Sequence, residues 1–287
     1  RWTYRTESIP ADPGLTRSGT LDVQPPRPDD RGFLRRDADW PTTFTHDNGT
    51  RHFMWGTTYY HLILNARTGG TWREALAGVR GYGINKIRFS LDDSDWGARA
   101  PERPYTRPFL DEARLRLDLE HWRAADRVLG EMAAHNLIAD VILHWRMHET
   151  SVSPEKRAAD ERYLRYALAR FGAQPHVIWC LVNEWNYSRV PREYWNDLGK
   201  LMRAEDPWRQ NGQRPRVLSI HQQTRPDWNF TDRDWPSHAI IQLGVRNRGA
   251  STRIGDEWAN AGREGVRFRH GDEWGNHSIV RNWTGTY

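Results

Sequence analysis

Apolar and polar positions along this chain switch repeatedly between two periods. Short, dense apolar runs lie at Phe53 to Thr58, Ile84 to Leu91, Leu137 to His144, Val177 to Val182, Val217 to Ile220, Ala239 to Leu243 and Val266 to Arg269. They are too short for helices and rich in β-branched residues, which is the pattern of strands buried on both faces. Between them the apolar positions recur every three to four residues. Thr71 to Gly81 carries Trp72, Leu76 and Val79 on one face; Asp118 to Asn136 opens on a capping aspartate; Pro154 to Phe171 opens on proline and stops at Gly172. Pro191 to Ala204 and Arg253 to Ala261 complete the helical set. These are ordinary helix start and stop signals. Regular β-α alternation predicts a parallel sheet, and seven such units predict a (β/α)8 barrel rather than a doubly wound sheet. No G-x-G-x-x-G follows a strand, which counts against a dinucleotide site.

The ends of the chain read differently. Residues 1–31 are polar and hold five prolines, from Pro10 to Pro28, and are expected to form a linker or N-terminal arm; residues 32–287 are expected to be the barrel. Residues 32–55 read as a hairpin turning at Asp47-Asn48-Gly49 and placed to plug the barrel floor. Only twelve residues follow Gly275, so the eighth unit is expected to be degenerate or cut short. The opening Arg1-Trp2-Thr3-Tyr4 lacks an apolar leader and reads as a mature or trimmed product. Residues 92–117 form a long proline-bearing loop after barrel strand two, where loops shape substrate clefts.

Composition narrows the function classes. The 287 residues suit one barrel, and the formal net charge is +5. Only Lys86, Lys156 and Lys200 are lysines, and the arginines are interleaved with Asp and Glu instead of forming the stripe that nucleic acid requires. No apolar run approaches a membrane span. Cys180, the one cysteine, sits within an apolar run and reads as a small buried hydrophobe. The 16 tryptophans are numerous, and their flat faces suit both cores and sugar rings. The expected partner is therefore a carbohydrate, with no nucleic acid and no membrane.

Active sites of such barrels lie at the C-terminal strand ends. In order, those ends offer Tyr59, Tyr60 and His61; Arg88, Asp92 and Asp93; His144 and Trp145; Asn183, Glu184 and Trp185; His221 and Gln222; Gln242; then Asp272, Glu273 and Trp274. Glycoside hydrolysis needs a carboxylic acid to protonate the leaving oxygen and a carboxylate to attack the anomeric carbon or activate water. Glu184 suits the acid/base role and Glu273 the nucleophile. Asp272 is the alternative, because strand alternation lets only one of the two point into the mouth.

The order Arg88, Asn183-Glu184, Glu273 resembles that of clan A glycoside hydrolases, and the stretch from Asp47 through Thr58 resembles their apiosidase-like and uncharacterised branches. The resemblance spans roughly residues 32–287. It implies a TIM barrel, a retaining mechanism with Glu184 and Glu273 as catalytic residues, no cofactor, and an upstream β-sandwich domain in the full-length protein. Substrate contacts are expected from Asn183, Arg88, His144, Trp145, Trp185, His221, Gln242, Trp274 and Tyr59. Where the clan often has His-x-Tyr near strand six, this chain has Gln242.

Other readings remain beside this one. His144 and His148 with Glu149 have i, i+4 spacing, but that geometry ligates metal on a helix and this stretch leaves a strand, so no metal is expected. A barrel that binds carbohydrate or protein without catalysis is the alternative function, since fold does not fix chemistry. A secreted or periplasmic location fits a polysaccharide-degrading enzyme.

Overall fold

The computed structural model describes residues 1–25, 28–37, 39–40, 43–92, 106–145, 151–206, 216–223, 229–230, 233–243 and 269–274. The chain separates into two compact units, residues 1–31 and 32–287. In the first, β1 (Trp2–Thr6) and β2 (Arg17–Leu21) pair antiparallel, Trp2 opposite Leu21. Thr6 Oγ1 closes this ribbon by donating to Leu15 O at 2.7 Å.

The second unit begins with an antiparallel sheet of β3 (Leu34–Arg36), β4 (Phe44–His46) and β5 (Arg51–His52), turning at the left-handed Gly49. Leu34 and Phe44 pack with Met54 against Ile138, Ile178 and Val217. Those last three stand within one residue of the starts of barrel strands, so the hairpin plugs the floor.

The parallel strands are β6 (Gly56–Thr58), β7 (Lys86–Ser90), β8 (Ile138–His144), β9 (Val177–Val182), β10 (Leu218–Ser219), β11 (His221–Gln223), β12 (Ala239–Leu243) and β13 (Arg269–Trp274). Strands β6 to β10 form one parallel sheet, and β11 to β13 form another. β10 and β11 flank Ile220, so together they are barrel strand five. β13, barrel strand seven, lies near β6, although among the described residues no ladder joins the two. The architecture is that of a (β/α)8 barrel whose ladder is not closed among the described residues.

Helices α1 (Leu62–Thr68), α2 (Trp72–Gly81), α3 (Leu119–Ala134), α4 (Pro154–Phe171) and α5 (Arg192–Glu205) pack outside. Asp118 caps α3 by accepting from His121 N, and Ser153 caps α4 by accepting from Lys156 N. Their buried faces, with Trp122, Val128, Tyr163, Leu164, Trp195 and Leu198, cover Ile87, Phe89, Val141, Val177, Trp179 and Leu181 from the strands.

Several expectations change. The first barrel strand starts at Gly56, not Phe53, because Asn85 takes up the preceding backbone: its Oδ1 accepts from Trp55 N and its Nδ2 donates to Phe53 O. Helix α1 was not expected; Leu62, Ile63 and Ala66 bury one face, and left-handed Gly69 ends it by donating to Asn65 O. The seventh strand runs from Arg269 to Trp274, so Glu273 and Trp274 lie inside it rather than beyond its end. The expected helix over 253–261 and the final residues 275–287 fall outside the described residues.

Candidate active site

The lumen is built from alternate residues of β7, β8 and β9. At its lower end Lys86 Nζ meets Asp140 Oδ2 at 3.0 Å, both buried. Gly56 faces this pair, and a Cβ there would collide with the Lys86 side chain. One layer higher, the fully buried Arg88 lies beside Cys180, with its Nη2 at 3.6 Å from Sγ. The same nitrogen donates to Asn183 Oδ1 at 2.7 Å. Asn183 N–H donates to His144 O at 2.9 Å, which extends the β8–β9 ladder one step past β9. Asn183 Nδ2 finds no acceptor among the described residues.

Directly after it, Glu184 adopts φ 50° and ψ 49°, a left-handed conformation unusual for glutamate. The chain then enters a short 3-10 turn, Trp185–Tyr187. Glu184 N–H donates to His221 Nδ1 at 3.1 Å, and Trp185 Nε1–H donates to Gln222 Oε1 at 3.2 Å. Glu184 is itself largely buried, with 8% of its surface exposed. The turn thus carries the Glu184 side chain at the C-terminal mouth, beside an asparagine held by the lumen arginine.

Arg88, Asn183, Glu184, Trp185 and His221 are thereby brought together. Trp145 belongs with them from the other side: it packs with Ile142, Cys180 and Ile240 and meets Tyr60 edge-on at 5.0 Å. On β13 the backbone pairing slips. Ile241 lies opposite Gly271 and Gln242 opposite Glu273, so Asp272 is passed over by the ladder. Gln242, Glu273 and Trp274 are therefore neighbours on adjacent parallel strands at the end of the sheet.

Two expected contacts are corrected. His144 does not face the lumen. Both β8 and β9 break alternation near their ends: Leu143 and Leu181 face the helices, and the next residue does so too, His144 against Tyr163 at 5.1 Å and Trp195 at 5.8 Å, Val182 within the outer core. Trp145 and Asn183 then turn inward. Burial keeps the His144 imidazole neutral, with its pKa lowered to about 3 despite Asp160 nearby. His144 thus serves the site through its backbone carbonyl. Tyr59 also faces outward, packing against the helix-side core with its hydroxyl accepting from Asn65 Nδ2 at 2.9 Å. Its neighbour Tyr60 is the residue beside Trp145. The order Thr-Tyr-Tyr at a strand end left that choice open in the sequence.

A buried ionic cluster, unforeseen from the sequence, braces the wall behind these strand ends. Asp160 on α4 is fully buried and accepts from Lys156 Nζ at 2.6 Å and from Tyr194 Oη at 2.5 Å, and Arg114 Nη1 lies at 3.3 Å. Arg114, itself left-handed at φ 56°, also donates to Asp92 Oδ2 at 3.2 Å, just past the end of β7. Burial opposes ionisation of Asp160, yet its positive neighbours hold its carboxyl below the usual range. The second half of the long loop, residues 106–117, is thereby pinned to α4, while residues 93–105 lie outside the described set. Among the described residues, no group of three or more His, Cys, Asp or Glu side chains is arranged to hold a metal ion.

The family described as "Apiosidase-like, catalytic domain" matches residues 41–266. No curated protein matches the sequence significantly. A candidate glycoside hydrolase from Bacteroides vulgatus ATCC 8482 superposes with a TM-score of 0.63 at 22% identity, over 89% of this chain and 50% of that one. A glycoside hydrolase of family 5 from the same organism gives 0.61 at 16% identity, over 85% and 54%. A family 5 mannosidase from Rhizomucor miehei gives 0.59 at 13% identity, over 81% and 70%. The chain spans about half the length of the two Bacteroides proteins it resembles. With a family match over most of its length, the chain belongs to the apiosidase-like family, whose catalytic domain it matches.

Proposed function

We propose that this domain is a retaining glycoside hydrolase in which Glu184 is the acid/base and Glu273 the nucleophile. The observation that carries this reading is the Arg88–Asn183–Glu184 constellation, with an amide locked by a buried guanidinium and a glutamate turned out of the strand immediately after it. Family membership and the barrel fold support the reaction class.

In the first step the Glu273 carboxylate attacks the anomeric carbon, the glycosidic C–O bond breaks, and the leaving oxygen takes the proton of Glu184. In the second, Glu184, now a carboxylate, takes a proton from water as the water oxygen attacks the anomeric carbon and releases Glu273. Asn183 Nδ2, without an acceptor among the described residues, is the donor for the sugar hydroxyl next to the anomeric centre. Trp145, Trp185 and Trp274 supply stacking faces. The substrate class is an oligosaccharide or polysaccharide. The family name places apiosides first among the sugars to test, and the mannosidase neighbour adds mannosides.

The test is a panel of 4-nitrophenyl apioside, mannoside and glucoside with mannan and soluble cellulose, on wild type, Glu184→Gln and Glu273→Gln. Turnover by wild type, lost in both variants, supports the reading and names the sugar. Turnover unchanged in either variant removes that glutamate from the mechanism. Silence from a folded wild type across the panel favours the non-catalytic binding barrel instead.

A further inference from the structure

We propose that His221 and Gln222 are positioning residues that set the aim of Glu184, with His221 acting through its Nδ1 lone pair and not by touching the sugar. This rests on the reading of Glu184 as the acid/base. Glutamate in the left-handed region is strained relative to ordinary backbone, so something must hold the turn. Among the described non-glycine residues only Arg114, Asn136 and Glu184 have positive φ, and asparagine alone of these tolerates it by type.

The holding contacts come from two consecutive residues of β11. Buried His221 receives the Glu184 amide, and buried Gln222 receives the Trp185 indole N–H. Gln222 Oε1 also accepts from Asn229 N at 3.1 Å, so the loop after β11 closes on the same atom. The backbone amide can only donate. His221 Nδ1 must therefore carry the lone pair, and in the neutral ring the proton sits on Nε2. Take away that acceptor, and a buried amide loses its partner just where the backbone is strained. A displacement of about 1 Å at a reacting group can cost 10²-fold in rate.

Asparagine and glutamine separate this role from a sugar contact. In His221→Asn the side-chain oxygen falls near the position of Nδ1; in His221→Gln the amide reaches toward the position of Nε2. The probes are 4-nitrophenyl and phenyl glycosides of the sugar that the panel turns over, because the poorer phenol leaving group depends more on protonation by Glu184. His221→Gln is expected to lose about 10- to 100-fold in kcat on the phenyl glycoside, a share of the roughly 10²- to 10⁴-fold that a general acid supplies. The loss should be smaller on the nitrophenyl glycoside, with KM changed less than about threefold. His221→Asn is expected to recover most of the loss.

Rescue by Gln and not Asn, or a loss carried by KM, would overturn the clamp and return His221 to the sugar. Equal losses on both glycosides would also overturn it. Should His221→Gln fail to fold by near-UV circular dichroism, His221→Asn decides alone: a wild-type dependence on leaving group sustains the clamp, and a steepened one refutes it. Failure of the underlying reading shows separately, as a Glu184→Gln enzyme that turns over the phenyl glycoside like wild type.

Discussion

The two ends of the same strands are built on opposite principles. At the floor, Ile138, Ile178 and Val217 meet Leu34, Phe44 and Met54 in an apolar plug with no chemistry to perform. At the mouth, the same strands release Asn183, Glu184 and His221 into a hydrogen-bonded set that includes a left-handed glutamate. Packing at the floor tolerates changes of shape, provided volume is conserved. Geometry at the mouth is held by single contacts whose loss leaves a buried polar group unmatched. Stability and function should therefore be separable by the layer in which a substitution falls.

The sharpest separation is expected from Glu184→Gln. It should lower kcat by about 10²- to 10⁴-fold, the range for removing a general acid, while the melting temperature stays within a few degrees. Ile178→Ala, at the other end of β9, is expected to do the reverse. It should cost about 2–5 kcal/mol in urea unfolding, with activity per folded molecule unchanged. If Ile178→Ala lowers kcat as strongly as it lowers stability, the two ends are not independent.

Arg88→Lys comes next. It keeps the charge but removes the fork that holds Asn183, and loss of a hydrogen bond to a charged group, about 1.5–3 kcal/mol, corresponds to roughly 10- to 100-fold in kcat/KM. Wild-type kcat/KM in this variant would show that Asn183 is held by other means.

The wall between the layers is sensitive to acid. Burial lowers the pKa of His144 to about 3, and that of His121 and His176 to about 4, from an ordinary 6.5. These groups bind a proton more readily in the unfolded chain, so their stabilising share is complete above pH 6.5 and is lost as pH falls toward 4 and then 3. At pH 5 the loss should be about 2 kcal/mol for His144. Urea midpoints measured at pH 7 and 5 should therefore differ, and His144→Phe should narrow that difference by about a third, because His121 and His176 contribute comparable shares. An unchanged difference would place the acid sensitivity elsewhere. The smallest effect is expected at the periphery, where Asp118→Ala removes the α3 cap and should cost about 1 kcal/mol, read by thermal unfolding with activity intact.

Much of this was legible in the sequence because local chemistry and tertiary structure agree. α4 and β9 begin and end where proline, glycine and the apolar run say, and Asp118 caps α3 as its position implies. The floor plug was legible from Asp47-Asn48-Gly49 between apolar pairs. What escaped is what periodicity cannot encode. Strict alternation places His144 in the lumen, and the paired outward residues at the ends of β8 and β9 reverse that assignment. Alternation also leaves Asp272 and Glu273 as equals, and it gives no hint of the slipped pairing with β12 that passes over Asp272 and sets Glu273 opposite Gln242 along the backbone. The Asp160, Arg114 and Asp92 cluster joins a helix, a loop and a strand end far apart in sequence, and no local pattern announces such a contact. Gln222, which holds Trp185, stood in view at a strand end without a signal for its role.

The most direct test of the account is a crystal structure that places the carboxyl groups of Glu184 and Glu273. The expected separation is roughly 5–5.5 Å, the spacing of a nucleophile and an acid/base acting on one anomeric carbon with retention. A separation of roughly 6.5–9.5 Å would contradict it in favour of inversion, and a Glu273 carboxyl turned out of the mouth with Asp272 turned in would contradict the choice of nucleophile.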